Sequence, residues 1–144
     1  MLAAIPLLIL PVLAYNLLAL ALRGGLQSAD AGTELASHAF SVPMTSGGSW
    51  DVTTGDLLLA GSLVILFIEL LKSTTSRRAA IINHSLSMIL FVACLVEFLL
   101  LRSFATSVFF LITLMVLLDV LAGFIVSIVS ARRDIDLEGG ARLS

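Results

Sequence analysis

Leu114-Met115-Val116-Leu117-Leu118-Asp119-Val120-Leu121-Ala122-Gly123-Phe124 sets one carboxylate in the middle of an otherwise apolar run. The run belongs to a longer stretch, Ala79 to Ser130, that reads as two membrane-spanning helices folded back on each other at Arg102-Ser103. An ionised carboxylate at that depth costs roughly 2.5–3.5 kcal/mol on insertion scales. A partner, a proton or a water-filled cavity must offset this cost.

Composition agrees with a bilayer as the main solvent. Of the 144 residues, 59% are hydrophobic and 12% charged, against about 25% charged in an ordinary soluble domain. The mean hydropathy is +1.12. A soluble domain could not bury this much apolar surface. The net charge of −2 argues against nucleic acid as a partner. The one cysteine, Cys94, lies in an apolar helix and reads as a small hydrophobe.

Outward from the quoted run, two further spans are expected. Leu2 to Leu22 is apolar except for Tyr15 and Asn16 and has the length of one span. Pro6 falls near its first turn, whereas Pro11 is expected to kink it. Asn16 suits a hydrogen bond to another helix. Ala19-Leu20-Ala21 also fits a signal-peptide cleavage pattern, but the apolar run is long and no Lys or Arg precedes it. Leu57 to Leu71 is short for a span, so its helix is expected to begin near Thr53 or Thr54, capped by a Thr or Asp side chain. Ala60-Gly61-Ser62 offers a narrow face for helix contact, as do Gly123 and Ser127 on the last span.

Arg23 to Asp56 is the long polar stretch. Phe40, Val42 and Met44 alternate with polar or turn residues, as do Trp50 and Val52, around Ser46-Gly47-Gly48-Ser49. This pattern predicts a short hairpin, with Pro43 confining its strand to an edge. Phe40 and Trp50 are expected to anchor the loop at the membrane interface.

Positive charge sets the expected topology. Lys72, Arg77 and Arg78 follow the second span, and Arg132, Arg133 and Arg142 follow the fourth. The first loop carries Arg23 beside Asp30, Glu34, Asp51 and Asp56. The expected fold is therefore an all-α bundle of four transmembrane helices, over about 2–22, 54–72, 79–101 and 104–131. An extracytoplasmic hairpin-like loop spans 23–53, and both termini are cytoplasmic, with a tail at 132–144 whose helical extension Gly139-Gly140 should end.

Phe-Ser-Val-Pro-Met-Thr-Ser-Gly-Gly-Ser-Trp, Ile-Ile-Asn-His-Ser-Leu-Ser-Met, Leu-Val-Glu-Phe-Leu-Leu and Leu-Asp-Val-Leu-Ala-Gly-Phe, between Phe40 and Asp134, resemble a group of small four-helix inner-membrane proteins of alphaproteobacterial type. The resemblance implies a bacterial inner membrane. It brings no activity, substrate or site residue.

Four titratable groups stand at different depths. Glu69 and His84 lie near the Lys72 face, Asp119 near the midplane and Glu97 toward the opposite face. Chains of such groups pass protons in pumps and transporters. Each also has a structural reading. Glu69 can snorkel toward Lys72, and Glu97 toward Arg102. His84 can be a neutral hydrogen-bonding residue, and Asp119 a paired group in a helix interface. No metal or cofactor is expected, because HxxxH and ExxH spacings and nucleotide-binding glycine loops are missing from the sequence. Two function classes follow. One is a non-catalytic accessory or self-associating membrane component, whose partners are the lipid bilayer and other membrane subunits or itself. The other is a proton-coupled channel or transporter using Asp119 and Glu97. An enzyme ranks third, since nothing marks a nucleophile.

Overall fold

The computed structural model describes residues 5–21, 26, 30–73 and 77–141. The chain runs α1 (Ile9–Ala21), α2 (Ala31–Leu35), β1 (His38–Pro43), β2 (Ser49–Thr53), α3 (Thr54–Ser73), α4 (Arg77–Leu100), a 3-10 turn (Arg102–Phe104) and α5 (Ser107–Ala141). Thr54–Lys72, Ile82–Leu100 and Ser107–Val129 are each long and apolar enough to cross a membrane, and Ile9–Ala21 is a shorter apolar helix. Residues 2–4 and Leu22 of the expected first span, Arg23, Gly24-Gly25 and Arg142 lie outside the described residues.

α5 is the centre of the packing. It lies along both α3 and α4, while α1 touches α3 and α5. Its buried positions are Phe109, Ile112, Thr113, Val116, Asp119, Val120 and Gly123. They recur every three or four residues, the spacing of one helix face. α1 contributes Val12, Tyr15 and Ala19 to the same core, and Leu8 just ahead of it joins them. Large apolar side chains such as Phe67, Ile89, Leu99 and Ile125 point outward. An outward apolar surface of this extent fits a bilayer solvent.

α1 is shorter than expected, because its start is at Ile9 rather than Leu2. Both prolines explain this. Pro6 precedes the helix, and Pro11 stands in its first turn, where a missing N–H interrupts no established ladder. The Leu7 carbonyl left free by Pro11 accepts from Leu10 N–H at 2.9 Å. Pro11 is thus a helix-start residue and not the mid-helix kink expected from sequence. At the other end, α5 continues to Ala141 through Gly139-Gly140, so those glycines do not end it. Between α1 and β1 stands the short α2, which the sequence pattern does not announce. Its Ala31 and Leu35 are buried.

The hairpin forms as expected. β1 and β2 pair antiparallel, with Phe40 opposite Val52 and Val42 opposite Trp50. Gly47 takes a φ of 85°, which favours glycine at the turn. Phe40, Met44 and Trp50 stay exposed. β2 passes directly into α3 through a reciprocal cap. Thr53 Oγ1 accepts from Asp56 N–H at 3.2 Å, and Asp56 Oδ2 accepts from Thr53 N–H at 2.9 Å.

Tyr15 ties α1 to the turn between α4 and α5. It is fully buried, its ring packs on Phe104 and Phe109, and its hydroxyl donates to Ser103 O at 2.9 Å. The same hydroxyl lies 2.6 Å from Thr106 Oγ1, and Thr106 Oγ1 caps α5 by accepting from Phe109 N–H at 3.2 Å. Tyr15→Phe keeps the ring but leaves Ser103 O without this donor. A stability loss of about 1–3 kcal/mol is expected. Thermal denaturation in detergent measures it, and an unchanged midpoint would remove the hydroxyl from the account.

Candidate functional site

Near one end of the bundle, α3, α4 and α5 meet across a buried polar layer. Glu69 comes from α3, Asn83, His84 and Ser87 from α4, and Asp119 from α5. Glu69, Asn83, Ser87 and Asp119 are almost wholly inaccessible, and His84 is nine-tenths buried.

Glu69 is the most heavily bonded of them. Its Oε2 accepts from Leu7 N–H at 2.8 Å and from Lys72 Nζ at 3.0 Å, and Lys72 Nζ stands 2.9 Å from Oε1. Asn83 Nδ2 also donates to Oε1. Lys72 Nζ donates in addition to Ile5 O at 2.6 Å. The pairing with Lys72 agrees with the sequence expectation, but Glu69 is fully buried and does not snorkel outward. The reason lies in α1. Its non-helical lead-in around Pro6 presents backbone groups that no helical ladder satisfies, and Glu69 with Lys72 supplies partners for Leu7 N–H and Ile5 O.

Asp119 accepts from Ser87 Oγ at 2.5 Å through Oδ2. Among the described residues, Glu69, Lys72 and His84 are the charged and titratable groups within electrostatic reach of it. Asp119 Oδ1, Asn83 Oδ1 and both ring nitrogens of His84 have no hydrogen-bond partner among the described residues.

The His84 ring rests on Gly123. A Cβ at that position would fall on the ring itself, against Cγ and Nδ1, so the missing side chain is what admits the imidazole. The expected small-residue contact at Gly123 is therefore a seat for a side chain. Ser127, its partner in the spacing, is exposed. A groove of about 360 Å³ opens beside the ring, lined by Ser85, Met88, Val120, Gly123, Phe124 and Ser127. Gly61 is exposed, and a Cβ there would meet open space, so it is not a close-packing point within this chain. Its neighbour Ser62 turns inward instead and donates to Leu58 O at 2.6 Å.

Glu97 stands apart from the layer. Ser87 and Glu97 are separated by about ten residues on α4, ~15 Å along the axis. Asn16 Nδ2 donates to Glu97 Oε2 at 3.3 Å and to Val12 O at 3.1 Å. The structure thus brings together Glu69, His84 and Asp119 and leaves Glu97 in a separate contact with α1. Sequence reasoning missed Asn83 and Ser87 as members of the layer. Their i,i+4 spacing, repeated by Asp119 and Gly123 on α5, was the available signal. No group of three or more His, Cys, Asp or Glu residues able to hold a metal occurs among the described residues.

No protein-family model, curated protein or solved structure matches the chain.

Proposed function

We propose that this chain is a small, non-catalytic component of a bacterial inner membrane that associates with itself or with other membrane subunits. In this reading α1 is the fourth membrane element beside α3, α4 and α5. Both termini lie in the cytoplasm, following the Lys and Arg distribution, and the hairpin lies outside with Phe40 and Trp50 at the lipid interface. The observation that carries the reading is the placement of the acids. Asp119 and Glu69 have no exposed surface and bond to neighbouring helices, as interhelical polar contacts do in membranes. The apolar interval between Ser87 and Glu97 weighs against a proton path running the length of the bundle.

The test is the native mass of the full-length protein in mild detergent, with whatever copurifies. A stable assembly larger than one chain is expected. Asp119→Asn keeps shape and hydrogen bonding and should preserve that assembly. A strictly monomeric protein carrying only lipid would overturn the reading.

A further inference from the structure

The polar layer is unbalanced in charge. Glu69 and Lys72 form an ion pair and cancel. Asp119 adds a second carboxyl group with no exposed surface. The groups facing it are Glu69 and Lys72 from α3 and His84 from α4. Lys72 is held by both Glu69 oxygens and the Ile5 carbonyl, and Ser87 supplies a hydrogen bond without charge. A buried anion left with one neutral donor is a costly species, and such groups are neutralised by a proton or paired with a cation. With Lys72 already paired, His84 is the other group in electrostatic reach, among the described residues, that can carry positive charge. Both of its ring nitrogens lack a partner among the described residues, as does Asp119 Oδ1.

We propose that this layer is a binding site for one proton, carried by either the Asp119 carboxyl or the His84 imidazole. With the proton on Asp119, a new O–H bond makes the carboxyl neutral. With the proton on His84, a new N–H bond makes an imidazolium whose charge cancels the carboxylate. Either placement brings the whole layer to zero charge. The groove beside His84 is mostly apolar but carries Ser85 and Ser127 on its wall, and at about 360 Å³ it has room for water to reach the ring. A hydronium ion there gives up its proton and leaves as water. The site binds a proton at one level of the bundle and requires no path to Glu97. It stands whether or not the chain assembles with partners.

The experiment uses the full-length protein in lipid nanodiscs at neutral pH. Infrared spectra with carbon-13-labelled aspartate read the protonated carboxyl band, and nitrogen NMR of the histidine side chains reads imidazolium. Asp119→Asn assigns the first signal, and His84→Gln separates the second from exposed His38. The expected result is one of these two signatures in the wild type, lost in the matching variant. The absence of both a protonated-aspartate band and an imidazolium signal from the labelled wild type overturns the proposal without reference to either variant. An ionised Asp119 together with a neutral His84 at neutral pH overturns the proposal.

Discussion

Glu69→Ala is expected to destabilise the protein by about 3–5 kcal/mol, the usual consequence of removing one partner of a buried ion pair. The loss is large because one carboxylate serves three structural elements. Without it, the Lys72 ammonium keeps only the Ile5 carbonyl, and Leu7 N–H and the Asn83 amide lose their acceptor. Glu69→Gln preserves volume and one acceptor oxygen, so its effect should be smaller. Removing the charge on both sides, with Lys72→Met added to Glu69→Ala, should recover part of the loss, because no half-buried lone ammonium then remains. Denaturation midpoints in detergent for the four proteins give the ordering. A Glu69→Ala protein that melts with the wild type would refute the structural role assigned to this residue.

The second large effect is expected at Gly123. Gly→Ala inside a helix ordinarily stabilises by roughly 0.5–1 kcal/mol, through lost chain entropy in the unfolded state. At Gly123 the sign should reverse. The added methyl group would occupy the place of the His84 ring, and overpacking of this kind destabilises by about 1–3 kcal/mol. Gly61→Ala is the internal control, since open space surrounds that position, and its midpoint should hold or rise. His84→Ala should make Gly123→Ala harmless by emptying the seat. If Gly123→Ala and Gly61→Ala behave alike in the wild-type background, the imidazole does not rest where the structure has it.

Some of the architecture was legible in the residues. The hairpin follows from alternation around Ser46-Gly47-Gly48-Ser49, and the start of α3 follows from a Thr with an Asp three positions later. Both signals are local, acting over a turn or two of chain. The length of α1 was less legible. An apolar run of span length suggests a full helix, but Pro6 and Pro11 act on backbone hydrogen bonds, which hydropathy does not register. Gly139-Gly140 shows the reverse error, where a local breaker does not end the helix. Glycine disfavours a helix interior by only about 1 kcal/mol per residue, and the helical turns before it carry the chain through.

The candidate layer was legible in its members and not in its grouping. Depth can be counted from sequence, and it arranges Glu69, His84, Asp119 and Glu97 as a staircase. Depth says nothing about rotation around each helix axis. Asn16 draws Glu97 toward α1, while Ser87 faces Asp119, and those choices depend on how the helices turn against one another. In helices apolar on every side, hydrophobic contrast is too weak to mark the inner face. The inner face is marked by the few small and polar residues instead, Ser62 and Glu69 on α3, Asn83 and Ser87 on α4, Asp119 and Gly123 on α5.

The sequence by itself therefore determined the apolar helical segments, the hairpin, the cap of α3 and the presence of acids inside apolar helices, where charge is costly. These depend on composition and on short-range backbone chemistry. Tertiary structure alone decided that Glu69 closes the irregular lead-in of α1, that His84 sits on Gly123, and that Asp119 shares a layer with both while Glu97 does not. Those relations join residues far apart in the chain, and only the packing of one helix against another brings them together.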